Sequence, residues 1–488
     1  MKHNINLRRH KLRHVVLLLI CMTAVCLLPA CQFSQETGFP DLETSQTSNT
    51  GPSQTNGTTP TDSETGRSLT VALPLGSDCL ESVRLLFLAK ESGLINQEPG
   101  QYIGQQIAIE DLQQFDSDLT INLVAETPPT GATAEQIRLW QNSGSMPDIV
   151  YCETAADAGL ENVMDLNDLL YGNQLLTAKN VFVPTLENCR EGQTLYGIPY
   201  FATLPVIYFN STLMGQLQLQ QPANEWTWQD FLDFSGLSYQ AMQTEEPSTK
   251  FVVDNPAELL NWLPASFDAN AGYAMWDGQS FRFDLPAFSN AVDWLQEYAD
   301  AGYSMLNLTA EERLAVLGTL DPIIGSKVLM WSGETSDLDD LQINGLQVGS
   351  NLMPTGLTLS VKPLVISKTC AQPQLAADFA AFIALDADSL LLQSRYQVFN
   401  GLIPLVNDAL VWLTIVGGQN KATMLLPLLD QMSSIDCSDQ QLIAGWRQAI
   451  KDSIGGFGSQ LILEKSLKAR NNLIVQMTTA ASQVLQEE

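Results

Sequence analysis

Short apolar runs alternate with amphipathic segments along the middle of the chain. The runs at 69–75, 119–126 and 147–152 have the length and composition of β-strands. The segments at 80–93 and 133–144 have helical spacing, and each ends in a glycine, which is a common helix stop. Strands that alternate with helices predict a parallel α/β sheet.

The same pattern continues toward the C-terminus. Helices are predicted at 227–238, 287–302 and 374–396, and strands at 327–335 and 363–369. From about residue 408 onward the apolar spacing predicts helices only. No solenoid repeat is present, and a length of 488 residues predicts two or three domains.

Polar residues follow two of the predicted strands directly. Gly76, Ser77 and Asp78 follow the first strand, and Glu153 and Thr154 follow the run that ends at Cys152. Ligands of parallel sheets bind beyond the carboxyl ends of the strands. These residues are therefore candidates for ligand binding.

The N-terminus has a different pattern. Five basic residues precede an apolar run from Val15 to Ala30, which is 16 residues long and short for a membrane span. The sequence begins with basic residues, continues with a short apolar core and has a small residue before the expected cleavage site. This pattern predicts a signal peptide over 1–30. The run ends in LPAC at Leu28–Cys31, which resembles a bacterial lipobox and implies lipidation, with palmitate, at Cys31. An uncleaved anchor is the alternative, and both interpretations place the remainder outside the cytoplasm.

Residues 31–67 contain many Ser, Thr, Gly, Pro and Asn residues and almost no large apolar ones. Such a composition buries too little surface to offset the entropy of ordering. We therefore predict a disordered tether between a lipid anchor and the folded body.

The charge balance excludes several classes of function. Acids outnumber bases by 54 to 24, which argues against binding to nucleic acid or to an anionic lipid surface. Residues 1–30 contain five bases, no acid and all three histidines, so the remainder has a formal charge of -35 and no histidine. A Ser-His-Asp triad, a Cys-His pair and a His-ligated zinc are therefore excluded there. We expect no catalytic residues, no metal and no cofactor.

Five cysteines follow the lipobox, and none belongs to a CxxC pair: Cys79, Cys152, Cys189, Cys370 and Cys437. Disulfides are permitted outside the cell, but the odd number leaves at least one thiol unpaired within a monomer. Disulfides and buried free thiols both remain open.

Six segments in this order resemble the extracellular solute-binding proteins of bacterial ABC importers, family 1, the carbohydrate-binding (maltose-binding-like) group. They are MPDIVYCE at Met146, LYGIPYFATLPVIYFNSTLM at Leu195, EWTWQDFLDF at Glu225, KVLMWSG at Lys327, PLVISKTCAQPQLAADFAAFI at Pro363 and GLIPL at Gly401. Together with the lipobox and the tether, the resemblance covers nearly the whole chain.

The resemblance implies an α/β, two-lobe periplasmic-binding-protein-like fold (type II), with a hinge of two or three crossing segments. One lobe would comprise 68–200 and 366–402, and the other 203–363 and 405–488. The crossings would fall near Tyr200–Leu204, Leu364–Ile366 and Ile403–Pro404. A ligand would bind in the cleft, and the lobes would close on it.

The resemblance also adds candidates to the cleft. Aromatic platforms and hydroxyl-binding groups are expected at the first crossing, in LLNWLPASF, after LMWS, before GLIPL and in the C-terminal helices. The residues are Tyr200, Thr203, Asn261, Trp262, Gly333, Glu334, Thr335, Asn400 and Trp446. The resembled turn often carries a tryptophan one or two residues after the glycine, and Glu334, Thr335 and Ser336 stand there instead. Trp226 and Trp228 are interpreted as core.

The resemblance thus implies a lipid-anchored, monomeric binding protein that captures an oligosaccharide and delivers it to ABC permease subunits. A binding protein for another small polar solute and a lipoprotein coupled to a sensor remain alternatives. A glycoside hydrolase is disfavoured, because no acid motif of that class is present.

Overall fold

The computed structural model describes residues 66–93, 119–128, 131–223, 225–245, 250–337, 346–354, 358–396, 398, 401–417, 425–434, 436–437 and 446–487. Asn400, Cys31, the signal peptide and nearly all of the tether lie outside these residues. None of the described helices combines the length and the apolar character that crossing a membrane requires.

The strands belong to two sheets and a small hairpin. The strands are β1 (Arg67–Leu73), β2 (Leu119–Glu126), β3 (Ile149–Tyr151), β4 (Arg190–Glu191), β5 (Thr194–Leu195), β6 (Ile198–Thr203), β7 (Pro205–Asn210), β8 (Phe251–Val253), β9 (Val328–Glu334), β10 (Val348–Leu352), β11 (Thr358–Ile366), β12 (Ile403–Pro404) and β13 (Asp436–Cys437).

Helices separate most of these strands and dominate the C-terminal region. The α-helices are α1 (Ser77–Glu91), α2 (Ala134–Ser143), α3 (Val183–Glu187), α4 (Ser211–Gln216), α5 (Trp228–Glu245), α6 (Pro286–Asp300), α7 (Ala310–Leu317), α8 (Pro373–Leu385), α9 (Ala387–Ser394), α10 (Ala409–Ile415), α11 (Trp446–Ile450), α12 (Gly456–Leu463) and α13 (Leu467–Glu487).

The first sheet has the strand order β12-β6-β11-β3-β1-β2, and β13 pairs with β11. β1 pairs in parallel with β2 and β3, as the alternation of strands and helices predicts. β11 is antiparallel to β3 and β6, so the sheet is mixed rather than wholly parallel. The reason is that the chain enters β11 from β10 of the second sheet and not through a crossover helix within the first.

The second sheet has the order β10-β7-β9-β8. The chain passes from β6 of the first sheet to β7 of the second through Leu204 alone, which is fully buried. β11 pairs with β13 and β6 of the first sheet from Thr358 onward, and the crossing expected near Leu364–Ile366 stays a prediction. The lobe boundaries themselves stay predictions, whereas the α/β class is confirmed.

Two large apolar clusters stabilise the fold. One is built on the first sheet and helices α1, α8 and α9, and the other joins the second sheet to α5, α6 and the C-terminal helices. Trp226 and Trp228 belong to the second cluster and are buried, which confirms the prediction that they are core.

Two predictions of secondary structure need correction. The helix predicted over 374–396 divides at Asp386, whose side chain accepts a hydrogen bond from the backbone N–H of Ser389 and so begins a new helix. The C-terminal region is not helical throughout, because Asp436 and Cys437 form β13 beside β11.

Candidate ligand-binding site

A cavity of about 170 Å3 lies where the two sheets meet, and we call it the aromatic pocket. The second sheet contributes Pro205 and Glu334, and β11 of the first sheet contributes three residues. Helical segments supply the rest of the lining. The full lining is Pro205, Trp262, Tyr273, Glu334, Thr358, Leu359, Ser360, Trp446, Ile450 and Lys451.

Three aromatic rings form one wall of this pocket. The ring centroids of Trp262 and Tyr273 are 5.4 Å apart, and those of Tyr273 and Trp446 are 5.6 Å apart. The indole N–H groups of Trp262 and Trp446 are buried and have no hydrogen-bond partner among the described residues. Buried polar groups are nearly always paired, so this wall offers two donors to an incoming acceptor.

Glu334 brings a carboxylate to the pocket, and its neighbours fix its position. The Thr203 hydroxyl donates to Glu334 Oε2 at 2.7 Å. The Tyr208 hydroxyl donates to the Glu334 carbonyl at 2.5 Å, and the Glu334 N–H donates to Asp337 Oδ2 at 2.6 Å. Thr203 is fully buried, so it serves the pocket as a positioning residue rather than as lining.

The backbone around Glu334 is equally constrained. The Thr335 N–H donates to the Leu204 carbonyl, and the Leu204 N–H donates to Thr335 Oγ1. Gly333 lies so close to Asp337 and Tyr208 that an added Cβ would be 2.7 Å from the Asp337 carboxylate. Gly333 and Thr335 therefore support Glu334 without lining the pocket.

A second cavity of about 480 Å3 lies at the carboxyl ends of β1 and β2, and we call it the strand-end cavity. Ser77 and Asp78 line it, at the edge of the sheet that the strand pattern predicts. Its lining is Pro74, Gly76, Ser77, Asp78, Cys79, Glu126, Thr127, Tyr396 and Val398. It shares no lining residue with the aromatic pocket.

The other pair predicted at a strand end does not line either cavity. Thr154 is buried, and its hydroxyl donates to Asp157 Oδ2 at 2.7 Å, which stabilises a local turn. Burial raises the pKa of the Tyr151 hydroxyl, and the charges of Cys152, Glu153 and Glu334 raise it further. The acids at 153 and 334 thus lie near the same buried hydroxyl.

Tyr200 lies in the core rather than in a cavity. It is 0% exposed, its ring stacks on Phe201, and its hydroxyl donates to Gln393. Asn261 also misses the pocket, since its amide donates to the Glu258 carbonyl at 2.9 Å. Of the predicted residues, the aromatic pocket therefore brings together Trp262, Glu334 and Trp446.

The sequence reasoning missed Tyr273, Ser360 and Lys451. Lys451 opens a π-helical turn, Lys451–Gly455, directly after α11. This wider turn follows Trp446 and Ile450, and all three residues reach the same pocket. π-helical turns are often found at functional sites, but the apolar spacing of the sequence contains no signal for one.

Asp254, at the carboxyl end of β8, has an unusual carboxyl. Burial raises its pKa to about 6, repulsion from Asp321 and Glu258 adds to the shift, and Arg313 opposes it. A raised pKa means that the folded state disfavours the charged form. The cost to stability is therefore absent below a pH of about 4, grows up to a pH of about 6 and is complete above it.

We expect Asp254→Asn to raise the free energy of unfolding by roughly 2 kcal/mol at a pH of about 7.5 and to leave it unchanged at a pH of about 3.5. Urea unfolding at both pH values measures this difference. Asp233→Asn, at an exposed position on α5, is the matched control and should show no such pH dependence. If Asp254→Asn changes the free energy of unfolding equally at both pH values, the pKa of Asp254 is not raised in the folded state.

Comparison with known proteins now defines the family. The family model for bacterial extracellular solute-binding proteins matches residues 108–410, more than half of the chain. No curated protein sequence matches the chain.

Solved structures with this fold include several binding proteins. The sugar-binding protein MalE from Xanthomonas citri has 11% identity and a TM-score of 0.59, over 86% of this chain and 98% of that one. An ABC substrate-binding protein from Listeria monocytogenes in complex with cycloalternan has 12% identity and a TM-score of 0.57, over 84% and 99%. UgpB from Mycobacterium tuberculosis in complex with glycerophosphocholine has 15% identity and a TM-score of 0.57, over 79% and 95%.

At these identities the structural likeness shows the fold alone, whereas the family model shows the family. Both agree with the segments from Met146 to Gly401 that carry the resemblance in the sequence. The chain therefore belongs to the bacterial extracellular solute-binding proteins and has the two-lobe fold of the maltose-binding-like proteins of ABC importers.

Proposed function

We propose that this protein captures a carbohydrate, an oligosaccharide, in the aromatic pocket and delivers it to the permease of an ABC importer without chemically changing it. The observation that carries this proposal is the wall of Trp262, Tyr273 and Trp446 beside the fixed carboxylate of Glu334. Two indole N–H groups in this wall have no hydrogen-bond partner in the part of the chain that the structure describes.

The chemistry of this pocket matches that of a sugar. A sugar ring presents an apolar C–H face, which packs on an aromatic ring, and hydroxyl groups at its edge. Hydroxyl oxygens accept from indole N–H groups, and hydroxyl protons are donated to a carboxylate. A ligand without these hydroxyls would leave buried donors unpaired, which costs about 1–3 kcal/mol each.

The size of the pocket limits how much of the ligand it holds. Small-molecule sites typically measure about 300–1,000 Å3, whereas this one measures about 170 Å3. We infer that it holds one end of an oligosaccharide and that lobe closure encloses more of the chain. Structural neighbours that are sugar-binding proteins support this class of ligand, while the neighbour with glycerophosphocholine keeps another polar solute as the alternative.

We further propose that a lipid on Cys31 anchors the protein outside the cell as a monomer. The support is the lipobox-like LPAC and the tether composition in the sequence. Mass spectrometry of the protein from its native membrane would detect an N-terminal peptide that starts at a lipidated Cys31. An intact peptide across Ala30–Cys31 would overturn this part of the proposal.

The test of carbohydrate binding combines a ligand screen with a variant. We expect maltodextrins or other neutral oligosaccharides to raise the melting temperature, whereas amino acids and short peptides should not. Trp262→Ala is expected to weaken the binding of the best oligosaccharide about tenfold, because a stacking contact of about 1 kcal/mol or more is lost. Isothermal titration calorimetry measures the dissociation constants.

Trp294→Ala is the matched control, because Trp294 is also half-buried but packs on Trp228 and Tyr298 outside the pocket. It should leave the affinity unchanged. If no oligosaccharide binds, or if both variants weaken binding equally, carbohydrate capture in this pocket is wrong. Shortened oligosaccharides after incubation would instead indicate a hydrolase.

A further inference from the structure

The strand-end cavity has a lining that differs in chemistry from that of the aromatic pocket. Two carboxylates, Asp78 and Glu126, line it, and no Lys or Arg is among its described lining residues. Neither carboxylate forms an ion pair with a described residue. Both side chains belong to exposed residues, so a ligand can reach them from solvent.

A third acceptor follows from the direction of one hydrogen-bond chain. The Ser82 hydroxyl donates its only proton to the Asp78 carbonyl at 2.9 Å. Ser82 Oγ and the Tyr396 hydroxyl are 2.7 Å apart, and both hydrogen bonds form together only when Tyr396 is the donor in this pair. The Tyr396 oxygen, at the cavity lining, is therefore left with lone pairs and no proton to offer a ligand.

Thr127 adds an unpartnered polar group to the same cavity. It is 6% exposed, and its Oγ1 has no hydrogen-bond partner among the described residues. Its backbone N–H is already used, because it donates to the Leu73 carbonyl at 2.9 Å. The lining of this cavity thus combines three acceptors with one hydroxyl that lacks a partner.

The sign of the charge decides which ligand fits. The N-terminus of α1 faces this cavity and by itself attracts anions, with an effective charge of about +0.5. Asp78 and Glu126 carry two full negative charges and outweigh it. Among the described residues, no three acidic, cysteine or histidine side chains are grouped as metal ligands. An ammonium group, which has three donors and no acceptor, fits better than a metal ion.

We infer that the strand-end cavity binds a protonated amine through Asp78, Glu126 and the Tyr396 oxygen. The inference goes beyond the proposed function, because it adds a binding site for an amine in a cavity that shares no lining residue with the aromatic pocket. The amine belongs either to an amino sugar or to a free polyamine, and these two sources share the same contacts.

The test compares ligands with and without protonated amines. At a pH of about 6, the full chain is titrated calorimetrically with a glucosamine tetramer, with its fully N-acetylated counterpart and with spermidine. We expect the charged tetramer to bind about tenfold more tightly than the acetylated one, since acetylation removes the charge-assisted hydrogen bonds of the ammonium groups. The double variant Asp78→Asn/Glu126→Gln should abolish this preference.

Asp233→Asn/Glu297→Gln is the control, because it changes the net charge equally at two exposed positions on α5 and α6. It should keep the preference for the amine. Spermidine that binds as tightly as the charged tetramer supports the inference and identifies a polyamine as the source. Tighter binding of the tetramer also supports it and identifies an amino sugar.

Equal binding of the charged and acetylated tetramers would overturn the inference and leave carbohydrate capture standing. A preference that survives Asp78→Asn/Glu126→Gln would also overturn it. Spermidine binding that this double variant weakens, without any oligosaccharide binding, would support the amine site and contradict carbohydrate capture. These experiments therefore distinguish a failure of the amine site from a failure of carbohydrate capture.

Discussion

Lys90→Met is expected to lower the free energy of unfolding by about 3–5 kcal/mol. Lys90 Nζ lies 2.8 Å from Asp386 Oδ2 and 2.8 Å from Asp388 Oδ2. All three side chains are buried, with exposures of 8%, 5% and 5%. Removal of Lys90 leaves two buried carboxylates without the one cation that pairs with them among the described residues.

The pKa of Lys90 reflects the same balance. Burial acts to lower it, but the charges and hydrogen bonds of Asp386 and Asp388 more than offset burial, and the net shift is upward. Lys90 therefore stays charged throughout the neutral range. The methionine variant keeps most of the apolar volume, so the loss in stability reports on charge rather than on packing.

Urea unfolding of the two proteins measures the difference. Glu91→Gln, which breaks the exposed pair between Arg67 and Glu91, is the control and should cost less than about 1 kcal/mol. The double variant Lys90→Met/Asp388→Asn should recover part of the stability that Lys90→Met loses, since it leaves one buried carboxylate without a cation instead of two. If Lys90→Met lowers the free energy of unfolding no more than Glu91→Gln does, the buried group of Lys90, Asp386 and Asp388 does not stabilise the fold.

Gly401→Ala is expected to lower the free energy of unfolding by about 2–5 kcal/mol and to weaken solute binding as well. Gly401 has φ +70°, which an L residue with a Cβ adopts at a cost of about 1–2 kcal/mol. An added Cβ would also lie 1.9 Å from the Thr335 carbonyl oxygen. Backbone atoms must move to relieve that clash, and overpacking adds about 1–3 kcal/mol.

The position of this clash explains the expected loss of binding. Thr335 follows Glu334 directly and is hydrogen-bonded to Leu204, at the passage between the sheets. A displaced Thr335 therefore displaces the carboxylate in the aromatic pocket. Calorimetric titration of the ligand found for the wild-type protein, together with urea unfolding, measures both effects.

Gly278→Ala is the control that measures the cost of backbone strain without a steric clash like that of Gly401→Ala with Thr335. Gly278 has φ +94°, but an added Cβ there meets nothing within 4 Å. Its cost should be about 1–2 kcal/mol, with no effect on affinity. Equal costs at the two positions would show that the approach to Thr335 is unimportant.

The pocket also explains how this chain departs from the pattern that it resembles. The resemblance implies a tryptophan one or two residues after Gly333, where this chain has Glu334, Thr335 and Ser336 instead. Trp262 and Trp446 reach the same pocket from other segments of the chain. A carboxylate beside aromatic rings selects ligands by hydroxyl or amine donors as well as by an apolar face.

The sequence by itself determined the features that depend on local periodicity. The apolar runs predicted β1, β2 and β3, and the strand-end rule placed Ser77 and Asp78 beside a real cavity. The ordered segments from Met146 to Gly401 identified the family, because they are spread over most of the fold.

Only the tertiary structure decided which side chains face a cavity. Tyr200 was a candidate because it lies just before the passage between the two sheets. However, every residue of β6 is buried, and the Tyr200 hydroxyl donates to Gln393, which is far away in sequence. Tyr273 and Lys451 share one pocket although some 180 residues separate them, and Lys451 reaches it at a π-helical turn. The periodicity of a segment shows on which face of its helix or strand a residue lies. Which other segments cover that face depends on long-range packing, and no local sequence pattern encodes that packing.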